Sequence, residues 1–145
     1  MKNKLTLIVL MLCTLLSAQK KKNGTIYIEH PAMDVVEQFN SAFVSGDVEK
    51  IKSLVSDDFS WRNSTMREKP GTLKQLLGRS NYLSNNIENF EIKHYGGSYP
   101  DAFEYKKDNV LDVKTYTWMT GYDKNTGVAL NMPRYADFRV QKNGK

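Results

Sequence analysis

Residues 31–63 read PAMDVVEQFNSAFVSGDVEKIKSLVSDDFSWRN. The spacing predicts a helix, a tight corner at Gly46-Asp47, a second helix, and then a short strand carrying Trp61. Pro31 stands where a first helical turn tolerates proline, because the N–H it lacks would have no intrahelical partner there. Ala32, Val35, Val36, Phe39, Ala42 and Phe43 recur at helical spacing and make one apolar stripe. Gly46 suits a left-handed helix end. Asp47 suits the N-cap of the next helix, whose buried side is Val48, Ile51, Leu54 and Val55. From Asp58 to Asn63 the chain alternates, with Phe59, Trp61 and Asn63 on one face.

Downstream, Pro70-Gly71 marks a loop, and Thr72-Leu73-Lys74-Gln75 is a capping box opening a third helix that Asn85-Asn86 breaks. From Phe90 onward the pattern is that of strands. Phe90, Ile92 and His94 share a face until Gly96-Gly97 bends or bulges the chain. Ala102–Lys106 and Val110–Thr120 flank a turn at Lys107-Asp108-Asn109. Val128–Gln141 returns after a turn at 123–127 (DKNTG). Asn143-Gly144 is the strongest short hairpin signal in the chain, yet only Lys145 follows. A strand takes about 5–6 residues, so the pattern predicts a C-terminally truncated domain whose last strand is missing.

Upstream, Lys2 and Lys4 precede an apolar run from Leu5 to Leu16, and the small residues Ser17-Ala18 come next. That order is the order of a secretory signal peptide at residues 1–19. The run is short of the roughly 20 residues that span a bilayer; a retained membrane anchor is the alternative. Cleavage near Ala18 or Gln19 lowers the net charge from +5 to +3. The one cysteine, Cys13, lies inside the run after Leu12 rather than a small residue, which argues against lipidation. A mature chain would have no thiol nucleophile and no disulfide. Residues 20–30 read as a flexible lead-in, with Thr25–Glu29 open to adding a short strand. Lys20-Lys21-Lys22 reads as a solvated tail rather than a nucleic-acid patch, because basic residues downstream alternate with acidic ones. The expected location is periplasmic or secreted, with no stable membrane insertion after cleavage.

Ser45-Gly46-Asp47, Asp57-Asp58-Phe59, and Phe138-Arg139 followed by Gly144-Lys145 resemble the SnoaL-like and ketosteroid-isomerase-like branch of the nuclear transport factor 2-like superfamily. The resemblance covers about residues 31–145. It implies an α+β cone, in which a curved antiparallel sheet wraps three N-terminal helices around a pocket. It also implies a homodimer, a small apolar or amphipathic ligand and no cofactor. Isomerase members of that family use a Tyr on the first helix, a carboxylate base on the first strand and a protonated Asp late in the sheet. The matching positions here are Phe39, Asn63 and Ala136. None of the three side chains moves a proton near neutral pH, so the resemblance implies a binding protein without that catalytic trio.

His94 is a candidate acid or base, though a lone His on an apolar face is more often a core residue bonded to backbone. Arg134 falls on the face of Ala136 and Phe138, where it is placed to hold a ligand carboxylate or to reach solvent at the rim. A turn centred near Asn125 sets Tyr116 opposite Arg134, with Asp112, Lys114 and Trp118 on the face of Tyr116; a slip of one residue reverses this. An Asp112–Arg134 pair would then serve a lyase, isomerase or hydrolase, or be a surface ion pair. The expected ligand-binding set is Phe39, Trp61, Asn63, Tyr116 and Arg134. Asn23-Gly24-Thr25 and Asn63-Ser64-Thr65 match the glycosylation pattern, as chance alone produces. No spacing of His and carboxylates suits a metal, and no phosphate loop or nucleophile elbow is present.

Overall fold

The computed structural model of the protein describes residues 23–66, 69–96, 100–107 and 109–141. The expected leader, Lys20–Lys22 and the Asn143-Gly144 hairpin lie outside them. The described elements are β1 (Gly24–Tyr27), α1 (Pro31–Ser45), α2 (Val48–Leu54), α3 (Leu73–Asn86), β2 (Ile87–His94), β3 (Asp101–Tyr105), β4 (Val110–Asp123) and β5 (Ala129–Val140).

Local chemistry sets the helix ends. His30 caps α1: its Nδ1 accepts the Ala32 N–H at 3.1 Å. Gly46 closes the helix at φ 74°, donating to the carbonyl of Ala42. The Asp47 carboxylate accepts the Lys50 N–H at 2.9 Å and starts α2. Thr72 and Gln75 form the expected capping box of α3. No strand forms at Asp58–Asn63, where an isolated bridge, Trp61 to Gly71, stands instead. Short polar side chains there bond locally: Ser56 donates to Asp58, and Asn63 Oδ1 accepts from the N–H groups of Thr65 and Met66. Such turns compete with a sheet ladder.

The sheet is antiparallel and built on β4. β5 pairs along one edge of β4 over residues 111–122. On the other edge, β3 lies beside 110–114 and β2 beside 117–123, and β1 extends the sheet from β3. The bulge in β2 falls between Glu88 and Glu91, earlier than Gly96-Gly97, and Asn89 adopts φ 51° there. It leaves Ile87 and Phe90 both buried.

The β4–β5 register departs from expectation by one residue: Thr117 faces Arg134, and Tyr116 faces Tyr135. The turn supplies the reason. Asp123 accepts from the N–H groups of Asn125 and Thr126, and Asp123 N–H bonds to Val128, so the hairpin is centred between Asn125 and Thr126. Because side chains alternate, the half-step carries Tyr116 to the opposite face from Arg134.

The inner face, packed on α1, holds two apolar clusters. One joins Phe39, Ala42 and Phe43 to Ile51, Leu76, Phe90 and Met119. The other joins Ala32, Met33 and Val36 to Ala102, Val113 and Val140. Each fully buried large side chain contributes about 1.5–3 kcal/mol. Buried polar residues also face this interior: Asn40 on α1, Thr115 and Thr117 on β4.

Candidate functional site

Two places on this scaffold have the chemistry of a site. The first is a polar row across the inner face. His94, Thr117 and Arg134 are register partners on β2, β4 and β5, and with strands about 4.8 Å apart the row is about 10 Å long. Two residues one turn apart on α1 meet its ends. Glu37 Oε1 lies 3.0 Å from His94 Nε2, and Asn40 Oδ1 accepts from Arg134 Nη1 at 3.1 Å. Asn40 is 5% exposed. Thr117 donates weakly to the Arg134 carbonyl at 3.3 Å. The Arg134 guanidinium lies over the Phe138 ring, 5.5 Å from its centroid. Burial, aided by the charge of Arg79, lowers its pKa from the ordinary guanidinium range to about 10.

The second is a cleft of about 560 Å³ at the N-terminal end of α1. Pro31, Val35, Leu111 and Val140 give it apolar walls, and Tyr27 and Glu104 stand at its polar side. Tyr27 donates to Glu104 Oε2 at 2.7 Å, and this bond raises the phenol pKa. The His30 ring packs 5.1 Å from that of Tyr27. Since His30 Nδ1 accepts from Ala32, the neutral imidazole carries its proton on Nε2.

None of the candidate catalytic or ligand-binding residues named from the sequence lines this cleft. Phe39 is core, edge-on to Phe138 at 5.6 Å. Trp61 packs at the margin of the first cluster and donates its indole N–H to the Thr72 carbonyl at 3.1 Å. Asn63 is exposed in its turn rather than inward. Tyr116 is 44% exposed on the outer face, its ring 5.1 Å from that of Tyr135. Asp112 lies on the outer face too, bonded to Arg139 Nε at 3.1 Å, so the Asp112–Arg134 pair does not form. His94 and Arg134 do share the inner face. Reasoning from sequence missed Glu37, Asn40 and the cleft. A His-Pro pair opening a helix was the one local signal for the cleft; Glu104 and Leu111 come from remote turns of the chain.

Among the described residues no group of three His, Cys, Asp or Glu converges to hold a metal ion, and no helix is long and apolar enough to cross a membrane. No family model matches the chain, and no curated protein matches it. Among solved structures, the chain is similar to a hypothetical protein with a ketosteroid isomerase-like fold from Catenulispora acidiphila, crystallised in complex with trimethylamine. The identity is 14% and the TM-score 0.55, over 75% of this chain and 77% of that one. Likeness at that identity speaks to the fold alone: the chain has an α+β, ketosteroid-isomerase-like fold of the nuclear transport factor 2-like kind.

Proposed function

We propose that this chain is an exported member of the SnoaL-like branch that binds a small amphipathic molecule in the cleft at the start of α1, without the isomerase trio. The cleft carries the reading. Its volume of about 560 Å³ falls in the range of about 300–1,000 Å³ usual for small-molecule sites. Apolar walls would take the body of the ligand, and the His30 N–H and the Tyr27–Glu104 pair would orient its polar end. The trimethylamine in the similar structure lends support to a small ligand in such a fold. Lys2, Lys4 and the run Leu5–Leu16 support export. The outer face, with Tyr116 and Tyr135 exposed, is the proposed homodimer surface.

Nile red, a neutral apolar dye, tests the cleft. Wild type should bind it with a fluorescence rise, and Val35→Trp, which fills the cleft from α1, should abolish that rise while retaining the helical circular dichroism. Equal binding by both proteins would overturn the assignment. Native mass spectrometry of protein exported from a bacterial host would report the cleaved mass and any retained molecule.

A second reading is favoured by the contact of 3.0 Å between His94 and Glu37. There His94 is an acid–base group of a cofactor-independent lyase, isomerase or hydrolase, with Glu37 orienting the imidazole. His94→Gln should then abolish turnover of any substrate found, and Glu37→Gln should lower it. Unchanged turnover in His94→Gln would end this reading.

A further inference from the structure

The ion pairs of the described residues include those of Lys52 with Glu49, Lys93 with Glu91, Lys114 with Asp137, and Arg139 with Asp112. Arg134 differs. It sits on the inner face, and the one hydrogen bond of its guanidinium among the described residues goes to the neutral amide of Asn40. No carboxylate of the described residues lies within ion-pair distance of it. The charge it does feel is Arg79 of α3, of the same sign. A guanidinium has five N–H donors, and here one is satisfied by the protein. The rest are not sealed in, since no buried side-chain nitrogen among the described residues lacks a partner. They are open to solvent, and Arg79 is itself exposed on α3. A desolvated cation without a counter-ion is costly, and a second cation beside it raises that cost. Held by Asn40 and the Phe138 ring, the fork is also fixed in direction before any ligand arrives.

We infer that Arg134 and Arg79 form an anion site for one small oxyanion, held bidentately by the Arg134 fork, with Arg79 as the second charge. The site goes beyond the proposed ligand cleft. It lies beside Thr117, six residues along β4 from the cleft residue Leu111, or about 20 Å. The chemistry fits the carboxylate of a small acid and inorganic phosphate alike.

The test is thermal unfolding of the full chain in sodium acetate, hexanoate or phosphate against sodium chloride at matched ionic strength. The expected result is a saturable rise of Tm in wild type with at least one oxyanion. Arg134→Met removes an uncompensated charge but leaves the buried Asn40 Oδ1 unpaired, so its Tm in chloride is its own baseline, and against that baseline it should show no oxyanion response. Arg79→Gln, at an exposed position, should raise the half-saturating concentration severalfold, and it carries the test if Arg134→Met does not fold. A response growing from acetate to hexanoate identifies an amphipathic acid; a response to phosphate alone identifies the inorganic ion. Identical Tm in every salt, or an Arg79→Gln variant that responds as wild type does, would overturn the site. Nile red binding does not depend on Arg134, so failure here and failure of the cleft are separable.

Discussion

The hydroxyl of Ser80 donates to the carbonyl of Phe43 at 2.8 Å, and Ser80 is wholly buried. Phe43 lies in the last turn of α1, where carbonyls have no intrahelical donor. The bond therefore ties α3 to the end of α1 and satisfies a helix terminus in the core. Ser80→Ala leaves that carbonyl unpaired and should cost about 1–3 kcal/mol, measured as a lower urea midpoint with an unchanged slope.

Two glycines should respond to alanine with opposite signs. Gly121 has φ 153°, and an added Cβ would meet the Ile87 side chain and the Glu88 carbonyl beside the bulge. Gly121→Ala should destabilise by about 1–3 kcal/mol. Gly78 is exposed inside α3 with open space around it, so Gly78→Ala should stabilise by about 0.4–1 kcal/mol. Paired denaturation curves check both.

The turn that sets the β4–β5 register is predicted to be acid-sensitive. Hydrogen bonds from the backbone and hydroxyl of Thr126, then the Asn125 N–H, hold the Asp123 pKa below its ordinary 3.8. A group with a depressed folded pKa stabilises fully above the unfolded value, and the effect is lost as pH falls through the folded one. Wild type should thus exceed Asp123→Asn in stability at neutral pH, and the gap should close as pH drops below 3.8. Urea titrations across that range check it; a constant gap would mean that the charge of Asp123 contributes nothing.

The proposed homodimer puts the rings of Tyr116 and Tyr135 in its interface. Tyr135→Asp should convert a dimer to a monomer in light scattering while leaving Nile red binding at the inner cleft intact. A monomeric wild type at high concentration would end this proposal.

The three helices were legible because their signals are local. Pro31, Gly46, Asp47 and the Thr72–Gln75 box each act on groups within four residues, and the apolar stripe of α1 needs only the helical period. The strand expected at Trp61 failed because alternation does not create a partner, and Ser56, Asp58 and Asn63 bond to their own neighbours. The expected sites failed for a related reason. Register decides faces, and half a residue at the Asp123–Gly127 turn moved Tyr116 outward and gave Asp112 to Arg139.

By itself, then, the sequence determined the helices, their caps, the late run of strands and the α+β class, all written in periods of two to four residues. Tertiary structure alone decided which polar groups meet. Asn40 and Arg134 are 94 residues apart, and Glu37 and His94 are 57 apart. No local period encodes such distances; they follow from how the sheet registers and where α1 crosses it.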